Sequence, residues 1–461
     1  MIIGAAMLPH PPIAVKEIGK GEERKIQPTL DSFDETARFI AELKPDTIIV
    51  STPHVVMYRD WFNVSKGEEG CGDFGNYRAK SVTFRQPYDT DFVQKLDRLC
   101  RKEDFPAGTN YDDDPLLDQG TMVPLYFINQ RYTDYQLVRV GLSGYPLAMH
   151  YRFGTLLQKI AEESEKRIFF VASGDLSHCQ KEEGPYGYKP QGPEYDERVM
   201  RDMGSASFGN LLDYEPAFLN AAEECGHRSF TILAGFLDRI NVTPRVLNHE
   251  ATFGVGYGTV LYEINGRDEK RNYLDQYEEN KRRHCEEKSE QSDAYVTLAK
   301  DAIAEWVRYH KKLSVPEGLP KEMYEERAGA FVSIHEDGDL RGCIGTTEPI
   351  RSCIAQEIIS NAISACSRDP RFPMVKEEEL PYLEINVDIL SPAEAIQDKS
   401  ELDVRRYGVI CSAKDGRRGL LLPDLEGVDT VEEQVRIACA KGGISQDEPF
   451  FMERFEVIRH V

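Results

Sequence analysis

His10, His54 and Glu250 are residue types that together hold a divalent metal, and they lie in separate stretches of the chain. Two histidines and one carboxylate are the facial ligand set of non-haem Fe(II), which leaves the opposite coordination positions open to a substrate and dioxygen. His10 stands in Leu8-Pro9-His10-Pro11-Pro12 and His54 follows Ser51-Thr52-Pro53. The prolines fix φ and bias the residues before them toward extended backbone. A third histidine ends Ser173-Gly174-Asp175-Leu176-Ser177-His178. Its unperturbed pKa near neutrality makes His178 the natural acid/base, with a fourth metal ligand or a hydrogen-bonded loop residue as its other readings. From spacing alone, unrelated loop histidines and a solvated Glu250 describe the same residues.

The elements around these residues give the pattern its force. Residues 2–8, 46–51 and 168–172 are apolar runs suited to strands buried on both faces, and each histidine lies just past the end of one. Between the first two, Leu30, Phe33, Ala37 and Ile40 recur at helical spacing, so residues 28–44 form an amphipathic helix ending before Pro45. Strand, helix and strand with short connections make a βαβ unit and hence a mainly parallel sheet, at whose carboxyl edge ligands bind. Residues 60–80, rich in glycine, read as an irregular excursion near the pocket mouth, and the polar residues of Leu117-Asp118-Gln119-Gly120-Thr121 as a cleft lining or a plain turn. Residues 242–248 resume a strand weakened by Pro244. Gly254, Gly256 and Gly258 have the wrong spacing for a dinucleotide loop.

A chain of 461 residues exceeds the size at which one core stops growing, so two domains are expected. The formal charge of −23, from 56 basic and 79 acidic residues, argues against nucleic-acid and anionic-membrane partners. The first residues have neither the basic flank of a signal peptide nor the length of a membrane span, which predicts a cytoplasmic protein. Ten cysteines without a C-x-x-C pair read as mostly reduced thiols.

Residues 1–265 are therefore an α/β domain, 266–291 a charged linker, either a solvated helix or a flexible segment, with too few apolar residues to dock on a core, and 292–461 a smaller α+β domain. Within the last, Ser292 is a plausible helix cap, Asp337-Gly338 a hairpin turn between strands at 330–334 and 340–344, and residues 349–367 a helix with Ile350 inward. Cys343 beside Arg341 is an activated thiolate in a catalytic reading and a small buried residue in the preferred one.

The motifs around His10, His54, His178 and Glu250 resemble those of the class III extradiol dioxygenase superfamily, to which the Memo proteins are similar, over the first 265 residues or so. The resemblance implies His10, His54 and Glu250 as ligands of Fe(II) or another divalent metal, and His178 as the acid/base. It implies oxidoreductase chemistry on a vicinal diol or related chelating small molecule with dioxygen. Ring-cleaving members have histidine where this chain has Gln119, which hydrogen-bonds but cannot shuttle a proton near neutrality. That departure leaves a second expectation open: a Memo-like metal- or ligand-binding module that performs no ring cleavage. From Ser292 onward, Arg341-Gly342-Cys343-Ile344-Gly345, Asp369-Pro370-Arg371-Phe372-Pro373 and Gly419-Leu420-Leu421-Leu422-Pro423 resemble the AMMECR family. Such fusions resemble proteins associated with a radical SAM enzyme, which is thus an expected partner.

Overall fold

A computed structural model describes residues 1–111, 116–336, 338–425, 427–445 and 447–461. It divides into two compact units, Met1–Glu278 and Glu279–Val461. The first is built on a six-stranded sheet in the order Gln136–Gly141, Thr47–Thr52, Ile168–Ser173, Ile2–Leu8, Tyr257–Arg267, Ile240–Glu250. The first four strands run parallel, and the last two form an antiparallel hairpin against Ile2–Leu8. The sheet is thus mixed, with parallel pairings predominating. Pro244 is tolerated because its strand lies at the sheet edge, where a missing N–H costs no ladder bond.

The apolar runs are covered on both faces, as their composition requires. Ala5, Met7, Ile49, Phe170 and Ala172 pack into one core, while Ala6, Leu8, Ile48, Val50, Phe169 and Val171 face the other. Helices Gln27–Leu43 and Gln119–Ile128 cover the second face; Thr90–Lys102, Leu147–Glu163 and His227–Phe236 cover the first. Leu147–Glu163 and His227–Phe236 approach closely through paired glycines: a Cβ on Gly154 would overlap the Ile232 carbonyl oxygen, and one on Gly235 the Tyr151 carbonyl oxygen. Gly154→Val is therefore expected to lower stability by about 3 kcal/mol or more, since main chain cannot yield as a side chain does. The midpoint of urea unfolding measures it, and a midpoint within error of the parent would show that the helices can slide apart.

Residues 60–80 are more regular than expected. Glu69–Phe74 and Ala79–Pro87 form an antiparallel hairpin with Phe74 and Phe84 buried. Its glycines serve close packing: a Cβ on Gly70 would meet the Tyr88 ring and Leu117, and one on Gly72 the Met122 sulfur.

Of the two forms expected for the linker, the structure has the helix, and its first turns are docked where a solvated one was expected. Tyr257–Arg267 extends the sheet, a turn at Glu269–Arg271 follows, and Tyr273–Gln291 is one helix. Tyr273, Leu274 and Tyr277 pack on the first unit's core. In the second unit, Lys281 lies 5.0 Å over the Tyr382 ring and Lys288 pairs with Glu384 at 2.9 Å. A few aromatic residues and specific ion pairs achieve what an apolar stripe would, and a count of charges does not reveal them.

In the second unit, seven strands form an antiparallel sheet in the order Asp339–Thr346, Gly329–Glu336, Glu384–Leu390, Phe450–His460, Tyr407–Ala413, Arg418–Leu421, with Glu394–Ile396 paired to Phe450–His460. Helices Ala294–Tyr309 and Ile354–Ser367 share a core with Gly329–Glu336, and Val431–Lys441 packs on Tyr407–Ala413. Asp293, not Ser292, caps the first helix by accepting from the Tyr295 and Val296 amides. The next helix starts only at Ile354, leaving Ile350 exposed, because the Glu357 carboxylate binds the Ile350 and Arg351 amides at 2.8 and 2.7 Å. The hairpin joins where expected, although Asp337 lies outside the described residues. Among the described residues, no helix is long and apolar enough to cross a membrane.

Candidate metal centre

Strand order explains why three distant histidines meet. Ile168–Ser173 lies between Thr47–Thr52 and Ile2–Leu8, all three parallel, so the loops bearing His178, His54 and His10 leave the same sheet edge. His10 is fully buried: its amide donates to Asp175 Oδ1 at 2.7 Å and its Nδ1 lies 2.9 Å from Ser173 Oγ. Its Nε2 is 2.9 Å from His54 Nε2, and Gln119 Nε2 approaches the same His54 atom at 3.3 Å. Burial lowers His10 to about 3 and His54 to about 4, so both rings are neutral near pH 7, the state in which imidazole binds a metal.

The third donor beside them is Cys225. Its sulfur lies 3.6 Å from His10 Nε2, and the donor atoms of His10, His54 and Cys225 all fall within 4.8 Å of one another. Tetrahedral bonds of the usual Zn–N and Zn–S lengths set nitrogens about 3.3 Å apart and nitrogen about 3.6 Å from sulfur, so the His10–His54 and His10–Cys225 separations of 2.9 and 3.6 Å match one small ion to within a few tenths of an ångström, and closing His54 on Cys225 completes the set. Burial, with Asp175 and Glu224 nearby, pushes the Cys225 thiol well above its ordinary range, so a bound cation would have to draw off its proton; the Asp175 amide, which donates to the sulfur at 3.3 Å, acts in the thiolate's favour.

Glu250 departs from the expected ligand set. Its Oε1 accepts from the Thr29 amide at 3.0 Å and the Thr29 hydroxyl at 2.6 Å, and its Oε2 from the Thr252 hydroxyl at 2.6 Å. The carboxylate thus satisfies a free amide in the first turn of Gln27–Leu43, where a negative charge is favourable. Sequence reasoning missed Cys225 because it stands 215 residues from His10 in no metal-binding motif. The only local signal is its place just before the helix His227–Phe236.

His178 is close by but differently held. Its Nδ1 lies 2.6 Å from the Glu223 carbonyl oxygen, presented by a residue with φ of 51°. A carbonyl only accepts, so Nδ1 carries a proton and Nε2 is the ring nitrogen left for exchange with a ligand. Asp175, buried beneath the loop, has its carboxyl raised to about 6 by burial. A cleft of about 460 Å3 opens from His54, walled by Val55, Val56, Tyr77, Gln119 and Met122 and floored by Asp118 and Arg139. Asp118 accepts from the Thr52 hydroxyl at 2.6 Å and lies 3.5 Å from the buried Arg139 guanidinium, which also donates to Ser65. The volume suits a small organic ligand.

His150 is a buried histidine remote in role from this group. Its Nε2 accepts from the Ser143 amide at 3.3 Å and its Nδ1 faces the Pro146 carbonyl at 3.1 Å, which only the neutral ring satisfies together. Burial lowers it to about 3. Since an unfolded histidine titrates near 6.5, the unfolded state takes up this proton first, and the stability the neutral ring contributes is lost as pH falls from about 6.5 toward 3. His150→Gln should flatten that part of the stability-against-pH curve, read by urea unfolding at pH 7, 6 and 5; an unchanged slope would refute it.

In the second unit, Cys343 is half-buried and receives a hydrogen bond from Ser333 Oγ at 3.2 Å. Arg341 is occupied by Glu379 and the Pro373 and Met374 carbonyls, and it is Arg371 that reaches the Cys343 carbonyl at 3.0 Å. The Arg341 guanidinium is therefore committed to fastening a loop.

Comparison with known proteins agrees with both halves. A family model described as the catalytic LigB subunit of aromatic ring-opening dioxygenase matches residues 4–260, and one described as AMMECR1 matches residues 296–460. A Clostridium acetobutylicum protein is 38% identical over 465 residues, covering 99% of this chain and 98% of that protein. A Thermotoga maritima protein is 52% identical over 168 residues, 36% of this chain and 96% of its own length. Among solved structures, an uncharacterised Pyrococcus horikoshii protein is 32% identical over 37% of this chain and 91% of its own, with a TM-score of 0.34.

Proposed function

The chain belongs to the family of the catalytic LigB subunit of aromatic ring-opening dioxygenases, and on that premise we propose that it is a metal-dependent oxidoreductase acting on a small chelating substrate, a vicinal diol or its like. The observation that carries this reading is the convergence of His10, His54 and Cys225, of which His54 lines the cleft. These three residues would hold the ion, Fe(II) by family and equally Zn(II) or Cu(I) by the softness of the thiolate. The ion would polarise the oxygens of a bound diol and, if redox-active, bind dioxygen. His178 would take the proton that the substrate gives up through Nε2, the nitrogen that the Glu223 carbonyl leaves available. The cleft side chains would orient the substrate and exclude water, with Gln119 as a hydrogen-bonding group at His54. The experiment is anaerobic reconstitution with Fe(II) followed by oxygen uptake on a panel of catechols, with uptake expected on at least one.

Gln119 favours a second reading. Unlike histidine, Gln119 cannot shuttle a proton, and it suits a Memo-like module that holds a metal and works with a radical SAM partner without ring cleavage. Stoichiometric metal binding with no oxygen uptake on any diol would select it.

A further inference from the structure

Ser173 ends the central strand Ile168–Ser173, is fully buried and touches two groups. Its hydroxyl donates to the Gly120 carbonyl at 2.5 Å, and a carbonyl oxygen can only accept. A serine has one proton, so toward His10 Nδ1, 2.9 Å away, Ser173 Oγ must be the acceptor. His10 is then protonated at Nδ1 and its Nε2 bears the lone pair that faces Cys225 and His54. His54 Nε2 lies 2.9 Å from His10 Nε2, so the proton between the two rings sits on His54, and the Gln119 amide beside the same nitrogen at 3.3 Å then faces it with its oxygen, the end that accepts.

We propose that Ser173 is a positioning residue that locks His10 in its metal-ready tautomer through Gly120, so that only His54 must change tautomer when a metal binds. Resting on the proposed metal centre, this assigns the two histidines unequal roles. His10 is a preformed ligand. His54 loses its Nε2 proton to solvent and takes one up at Nδ1, with no net change in its charge. The start of helix Gln119–Ile128 thereby governs both ligands: Gly120 acts on His10 through Ser173, and Gln119 sits against His54. Partners of this kind outside the metal's own ligands typically alter metal affinity 10–100-fold.

The test is long-range 1H–15N correlation on full-length protein with 15N-labelled histidine, with Zn(II) as the probe and signals assigned from His10→Gln and His54→Gln. In the metal-free protein His10 is expected as the Nδ1–H tautomer and His54 as Nε2–H. On adding Zn(II), His10 should keep its pattern while His54 becomes Nδ1–H. Ser173→Ala should leave His10 a mixture of tautomers and weaken Zn(II) binding about 10–100-fold, with Ser173→Thr, which keeps the hydroxyl, restoring both. Finding His10 as Nε2–H in the metal-free parent would overturn the proposal even if Ser173→Ala failed to fold. So would a Ser173→Ala protein with unchanged tautomer and affinity. Absence of any Zn(II) binding by the parent would instead remove the proposed function, while the tautomer of His10 would still be read directly.

Discussion

Cys225→Ser is expected to abolish tight binding of a divalent ion, with a loss of at least about 100-fold, whereas Glu250→Gln should bind it as the parent does. An outer partner is typically worth 10–100-fold, and losing one of three direct donors should exceed that range. Serine adds nothing in return: its hydroxyl keeps its proton near neutrality and offers a harder oxygen in place of a polarizable thiolate. Glu250 is already committed to Thr29 and Thr252, so its amide analogue should be felt as a weaker helix start, with a cost of about 0.5–2 kcal/mol in stability. Co(II) is a convenient probe, because thiolate ligation adds an intense near-ultraviolet charge-transfer band. That band should vanish in Cys225→Ser and persist in Glu250→Gln. The reverse pattern would restore the carboxylate to the ligand set and leave Cys225 a bystander.

His178→Ala should retain metal and lose turnover by about 10²–10⁴-fold, the usual contribution of a positioned acid/base. The geometry makes the separation sharp. The Nδ1 of His178 is fixed by a carbonyl, and the residue lies outside the group whose donor atoms cluster within 4.8 Å. Metal content and steady-state rates measured on one preparation decide the matter. If metal and turnover disappear together, His178 is a ligand and the proton must be handled elsewhere, with Asp175, buried and raised to about 6, the next residue to test.

Much of this protein was legible in its residues because the controlling interactions are local. Apolar runs of strand length at residues 2–8, 46–51 and 168–172 can only be buried on two faces, so the parallel pairings and the placement of His10, His54 and His178 at one sheet edge follow from pattern and handedness. The proline-stiffened histidine motifs are likewise readable residue by residue. What only the tertiary structure decided is which side chain completes the group. A helix start needs an acceptor for its free amides, and Thr29 claims Glu250. The chain returning before His227–Phe236 brings Cys225 to His10 from 215 residues away. Neither event leaves a periodicity or a motif, since both depend on packing between segments remote in sequence. The same reason hid the docking of Tyr273, Leu274 and Tyr277, which composition reads as part of a charged linker and the first unit's core receives as neighbours.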